Sequence, residues 1–173
     1  MSFDNPQLSK STTIDGLVVI KNSSFREKRG EIWTSFESSI FSELCPYPFI
    51  HDKFSFSHKN VLRGFHGDNK TWKLVSCPYG KIFIAIIDMR KNSATYLSSE
   101  HFILDSSSRT HILLPPGLGN SFLVLSDNAL YHYKLAYQGG YNDISDQFTV
   151  QWNDPRFSIP WPCQAPILSE RDK

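Results

Sequence analysis

Short blocks rich in β-branched and aromatic residues, apolar at every second position or in brief continuous runs, recur along this chain and constrain its fold more than any other feature. IDGLVVIKN, GEIWTSF, HDKFSFSH, WKLVSCPYG, KIFIAIIDMR, HFILD, HILLPP, NSFLVLS and ALYHYKLAY all have this character. A period of two is that of a strand whose alternate side chains enter a core. Turn signals separate the blocks, among them Asn22-Ser23-Ser24, Pro78-Tyr79-Gly80, Asp105-Ser106-Ser107-Ser108, Pro115-Pro116-Gly117 and Gly139-Gly140. Helical patterns do not alternate with the strands, which argues against a doubly wound parallel sheet. One helix is predicted over Phe36 to Cys45, where Phe36, Ile40, Phe41 and Leu44 would form an apolar stripe. The expected architecture is an all-β jelly-roll sandwich or barrel with one or two short helices, able to hold a small ligand between its sheets.

With 173 residues, 40% hydrophobic and 14% aromatic, the chain can bury one sizeable core, so residues 1–173 are expected to form a single domain. The polar residues 1–12 are expected to be a loose or exchanged arm. Basic and acidic residues are interspersed, 18 against 17. No footprint for nucleic acid or an anionic membrane stands out, and any phosphate must be met locally. Three widely spaced cysteines, Cys45, Cys77 and Cys163, offer no C-x-x-C pair, which argues against a disulfide framework or a structural zinc. The start, MSFDNPQLSK, lacks a basic segment followed by an apolar one, and no apolar run is long enough to span a bilayer. A cytoplasmic location is expected.

Polar residues on strands are where chemistry would sit. In VLRGFHGD, Arg63 places a fixed charge three residues from the imidazole of His66. Its planar fork suits a diphosphate. A lone strand histidine is more often a hydrogen-bonded core residue, and a metal site wants several converging ligands, whereas this segment has HGD where a second histidine would stand. Tyr133 lies in ALYHYKLAYQGGY, and Tyr131, Tyr133, Leu135 and Tyr137 share one strand face. Most strand tyrosines pack, yet a phenol that is protonated at neutral pH is a suitable general acid. The residues alone do not choose Tyr133 over its neighbours.

Seven ordered motifs narrow the reading. VLRGFHGD, KLV (73–75), D-x-R (88–90), LPPGLGNSFLVLS (114–126), YK (133–134), WNDPRFSIPWP (152–162) and PILSERD (166–172) follow one another in an order and spacing that resemble the dTDP-4-dehydrorhamnose 3,5-epimerase family. RGEIWTSF, HDKF, RGFHGD, LLPPGLGNS, HYKLAY and DQFT look more like the branch acting on GDP-4-keto-6-deoxyheptoses.

The resemblance implies a cupin-type fold and a homodimer in which Arg29 reaches the partner's nucleotide site. It implies a nucleoside-diphosphate 4-keto sugar as substrate, epimerised at C3 or at C3 and C5, with no metal, nicotinamide or flavin. Carried over by position, it makes His66 the base, Asp172 the carboxylate that orients it, Tyr133 the acid on the opposite sugar face and Lys73 a group near the C4 oxygen. Arg29, Lys53, Arg63, Asp68 and Asn120 would contact the substrate. Removing a proton alpha to a ketone moves charge onto the carbonyl oxygen, so a fixed cation there stabilises the transition state more than the substrate.

Departures from the family pattern stand at Gly67 and Asp68, where an aromatic or similarly bulky residue and Gln are usual. Asn120 replaces a histidine, Ile84 an aspartate, and Thr34 a glutamate. They are expected to cluster where base and sugar are recognised, and so to favour a GDP-heptose over dTDP-4-keto-6-deoxyglucose, the alternative substrate. A 4-keto to 3-keto sugar isomerase would carry His-x-His after Arg-Gly, which this chain lacks. A non-catalytic sugar-binding cupin is disfavoured by the joint presence of His66, Tyr133 and Asp172.

Overall fold

The computed structural model describes residues 5–142 and 144–173. One sheet comprises β1 (Gln7–Lys10), β2 (Val18–Lys21), β5 (Phe49–His58), β7 (Trp72–Tyr79), β10 (Thr110–Leu114) and β12 (Asn128–Ala136), in the order β1-β2-β10-β7-β12-β5. A second comprises β6 (Leu62–Gly67), β8 (Lys81–Asp88), β9 (Ser99–Asp105), β11 (Leu118–Val124) and β13 (Phe148–Thr149), in the order β13-β6-β11-β8-β9. The strands β3 (Ser24–Glu27) and β4 (Gly30–Trp33) form a separate hairpin. Neighbouring strands within each sheet pair antiparallel. The expected all-β sandwich with one short helix is the fold observed.

The run KIFIAIID reads as nearly continuous apolar sequence because β8 is buried on both faces. Ile82, Ile84 and Ile86 point between the sheets and meet Val75, Ile112, Leu114 and Tyr131. Phe83, Ala85 and Ile87 point outward and meet Leu62, Phe65, Leu123 and Phe157. Trp152, Ile159 and Trp161, from an irregular C-terminal segment, close this outer cluster. Burying each such side chain is worth roughly 1.5–3 kcal/mol, so the segment is held by packing although it has almost no strand or helix. On the far side of the six-stranded sheet, Phe41 covers Val18, Ile20, Leu74 and Leu113.

Two local expectations change. The helix α1 covers only Ser38–Ser42, because Glu37 makes no side-chain cap hydrogen bond at its start and Pro46 follows shortly after its end. Phe36 lies outside it but stacks on Phe41 at 4.9 Å between ring centroids. The supposed loose or exchanged arm is, over Gln7–Lys10, an edge strand on β2 of the same chain, with Leu8 opposite Ile20. The part of that expectation at residues 1–4 lies outside the described residues.

Two further sequence features acquire structural reasons. Asp88 of the D-x-R motif is fully buried and accepts hydrogen bonds from Arg90, Ser93 and Thr95. Burial alone would raise its pKa, but these donors outweigh it and bring the carboxyl to about 2. The motif therefore anchors the loop after β8. At Gly67 a Cβ would meet Phe148 Cζ at 2.3 Å and the Leu118 carbonyl oxygen at 2.4 Å. The Phe148 ring thus occupies the space that a bulky residue at position 67 would need. Gly67→Ala should destabilise the protein by about 1–3 kcal/mol through overpacking, measured by calorimetry as a Tm lower by roughly 3–10 °C.

Candidate active site

A strand of strict period two would put Arg63 and His66 on opposite faces, since they are three positions apart. Both instead face a cavity of about 280 Å³ between the two sheets. In the β6–β11 pairing, Arg63 is opposite Phe122 and His66 opposite Asn120, so three steps along β6 match two along β11. Such a bulge turns a strand's side chains by one position. Gly64 sits within it at φ +103°, and a Cβ there would lie 2.4 Å from the Asn120 carbonyl oxygen. Only glycine combines that conformation with so close an approach.

The other wall is regular. Tyr133 pairs with Val75 and Leu135 with Lys73 in the β12–β7 ladder, which places Tyr131, Tyr133 and Lys73 on the inward face. Tyr131 stacks on Phe122 across the sandwich at 4.3 Å, and its hydroxyl accepts from Asn120 Nδ2 at 3.0 Å. His66 and Tyr133 therefore come from opposite sheets and face one space.

Asp172 arrives from the C-terminal segment and is only 3% exposed. Its Oδ1 lies 2.7 Å from His66 Nε2 and its Oδ2 accepts from Ser169 Oγ at 2.8 Å. Burial raises the Asp172 pKa, but hydrogen bonds from His66 and Ser169 outweigh it and hold the carboxyl below its usual range. A carboxylate at Nε2 favours the tautomer with the proton on that nitrogen, leaving the lone pair on Nδ1. Lys73 is buried and donates to the His66 carbonyl at 3.2 Å and to Asn120 Oδ1 at 3.3 Å. Burial brings its pKa down to about 8. Burial likewise raises Tyr133, with Arg63 opposing, so the phenol is protonated at neutral pH.

His66, Tyr133, Asp172, Lys73, Arg63 and Asn120 are brought together as the sequence predicted. Lys53 pairs with Tyr133 across β5 and β12, and its Nζ lies 5.6 Å from the centre of that ring, beside the tyrosines rather than lining the cavity. Arg29 stands at the tip of the β3–β4 hairpin, exposed and paired with Glu27, away from the cavity of its own chain. Asp68 is corrected as a substrate contact. It is buried and outside the cavity lining, and its Oδ1 accepts from the Lys70 and Thr71 amides, so it caps the turn into β7.

Ser55, Tyr141, Gln147, Ser169 and Arg171 also line the cavity and were not singled out as site residues. Arg171 and Ser169 lie in the SERD motif and Gln147 in DQFT, but nothing local marks their direction. Arg171 donates to Gln147 Oε1 and Thr149 Oγ1. With Arg63 and Lys73 it makes the cavity cationic, although the whole chain carries only +1. Among the described residues, no group of three His, Cys, Asp or Glu side chains is placed to hold a metal ion.

Comparison with known proteins adds the following. The family described as dTDP-4-dehydrorhamnose 3,5-epimerase matches residues 11–173. The chain is 34% identical over 168 residues to dTDP-4-dehydrorhamnose 3,5-epimerase of Escherichia coli (strain K12), covering 94% of this chain and 89% of that one. It is 30% identical to dTDP-4-dehydrorhamnose 3-epimerase of Streptomyces niveus, covering 92% of this chain and 78% of the relative. Among solved structures, the 3,5-epimerase of Legionella pneumophila in complex with dTDP-4-keto-L-rhamnose superposes with a TM-score of 0.89 at 30% identity, covering 97% of this chain and 90% of that one.

The environment of Asp172 carries a consequence for stability. Its carboxyl is held below the ordinary 3.8 in the folded state, so its contribution is complete above that pH and is lost as pH falls through the folded value. Asp172→Asn removes this titration. In urea denaturation the variant should be clearly less stable than the parent at pH 7, and the gap should narrow by pH 3.

Proposed function

This chain belongs to the dTDP-4-dehydrorhamnose 3,5-epimerase family, and from that premise we propose that it inverts C3, or C3 and C5, of a deoxythymidine-diphosphate 4-keto-6-deoxy sugar. The observation that carries the mechanism is the origin of the two proton-transfer groups. His66, backed by Asp172 at 2.7 Å, stands on one sheet and Tyr133 on the other. A sugar ring between them presents one face to each. His66 removes the proton alpha to the ketone, Asp172 stabilises the imidazolium that forms, and Tyr133 delivers a proton to the opposite face. Lys73 faces the C4 oxygen and stabilises the enolate. Arg63 and Arg171 receive the diphosphate.

The expectation of a GDP-heptose gives way to its alternative for two reasons. The relatives described above are named for deoxythymidine-linked sugars. The departures thought to cluster at base and sugar recognition also lie mostly elsewhere. Ile84 is in the inter-sheet core, Gly67 makes room for Phe148, and Asp68 caps a turn. Of the five departures, Asn120 alone lines the cavity.

The quaternary proposal is a homodimer. Ile32, Phe54 and Phe56 on the hairpin and β5 are each more than half exposed, an unusual load of bare apolar surface for a monomer. In that assembly Arg29 would reach the partner's nucleotide. Sedimentation at micromolar concentration should give a species of twice the chain mass, and a fully active monomer would overturn this arrangement.

The chemistry is tested by proton NMR in D₂O, with dTDP-4-keto-6-deoxyglucose and GDP-4-keto-6-deoxyheptose supplied in parallel. Deuterium should enter the dTDP sugar, and the labelled carbons distinguish C3 from C3 and C5. His66→Asn should abolish both exchange and inversion. Tyr133→Phe should keep exchange while inversion falls by roughly 10²–10⁴-fold. Preferential turnover of the heptose would restore the guanosine reading, and inversion by Tyr133→Phe at the parent rate would require another acid.

A further inference from the structure

Lys73 carries a charge that the fold does little to accommodate. It is 6% exposed, and the acceptors of its Nζ are neutral, the His66 carbonyl and Asn120 Oδ1. The titratable and charged groups that share its cavity come from both sheets and the C-terminal segment, beginning with the His66 imidazole and the Arg63 guanidinium on β6. Tyr131 and Tyr133 on β12 are protonated and uncharged at neutral pH. Arg171 from the C-terminal segment is cationic and opposes a second cation. Asp172 is engaged by His66 and Ser169. An ammonium in such a place loses its proton readily.

Asp68, at the turn between β6 and β7, presents the complementary anomaly. It is 2% exposed. Its Oδ1 accepts from the Thr71 amide at 2.6 Å and the Lys70 amide at 3.0 Å, while its own carbonyl accepts from Gly117 N at 2.7 Å. Its Oδ2 is inaccessible and has no hydrogen-bond partner among the described residues. An amide oxygen would cap this turn equally well. The turn therefore explains the oxygen but not the charge, and a buried carboxylate without compensation is strongly unfavourable.

We infer that Asp68 is a positioning residue whose buried carboxylate is the counter-charge that keeps the Lys73 side chain protonated in the cavity. The inference rests on the role proposed above for Lys73, and Asp68 acts on the reaction only through that side chain. The electrostatics agree in sign. Burial lowers Lys73 to about 8, Asp68 pulls it upward and Arg171 pulls it down. Lys73 is then cationic below about 8 and neutral above, so a step that needs the cation is lost as pH rises through that value. Without Asp68 the loss would begin nearer neutrality.

The test uses Asp68→Asn, which keeps the capping oxygen and removes the charge, with a melting curve to verify folding. In intact protein carrying ¹³C- and ¹⁵N-labelled lysine, the NMR titration midpoint of Lys73 should fall by at least about one unit, a tenfold shift in its proton affinity. The alkaline limb of kcat/KM should move by the same amount. At pH 6 the variant should then be close to the parent, and at pH 8 roughly fivefold below it, approaching tenfold at more alkaline pH. Asp68→Glu should restore the parent profile. Arginine stays charged throughout this range, so Lys73→Arg and the double variant with Asp68→Asn should show one and the same profile. If Asp68→Asn does not fold, Asp68→Gln serves as the neutral variant. An unmoved Lys73 titration would overturn the inference. A moved titration with an unmoved kcat/KM limb would leave the pairing standing and overturn the role given to Lys73.

Discussion

The packing of the C-terminal segment on the outer face of the five-stranded sheet is the constraint on which the site depends. Phe157 and Trp161 lie against Phe65, with ring centroids 6.3 and 6.0 Å away, and Trp161 also meets Phe83 at 5.2 Å. The Trp161 indole N–H donates to the Trp152 carbonyl at 2.8 Å. This apolar contact runs the segment along β6, where Ile167 bridges Val61, and delivers Ser169, Arg171 and Asp172 to the cavity. His66 would otherwise face it with no carboxylate behind the ring. Core packing and the proposed proton transfer thus share one physical origin, the burial of large aromatic surfaces by a segment without regular structure.

Charge is distributed in the cavity with the same economy. Arg63, Lys73 and Arg171 line it, and its carboxylate, Asp172, is committed to His66. A dianionic diphosphate and a developing enolate are the species such a field favours. Because the groups are held in a partly dry space, their effect on a developing charge exceeds what they would exert in water. The tyrosines complement them: burial raises Tyr133 and Tyr131, so both remain neutral donors beside three cations.

The departures from the family pattern divide by location. Gly67 and Ile84 sit in packing positions, with the Phe148 ring filling the space beside Gly67, while Asp68 caps the turn into β7. Asn120 remains at the cavity, between Lys73 and Tyr131. Distance along the chain from His66 is a poor guide to location in a sandwich, because adjacent strand residues face opposite layers.

The fold class was legible in the sequence because period-two burial is a local property, repeated in every block from LVVI to ALYHYKLAY. His66, Tyr133, Lys73 and Asp172 are marked as candidates by an ordered set of motifs and not by any single one. The helix is shorter than its sequence signal, because the apolar stripe extends beyond the few residues that hydrogen-bond as a helix. Gln7–Lys10 looked unstructured, because a polar edge strand takes its partner from elsewhere in the chain. What only the tertiary structure decided is which side chains meet. The bulge at Gly64 turns Arg63 and His66 to one side, the C-terminal segment brings Asp172 back to His66 across 106 positions of chain, and Asp68 lies outside the cavity lining. A strand's own residues determine its periodicity, but its register, its bulges and the segment that covers it are set by contacts between residues far apart in sequence.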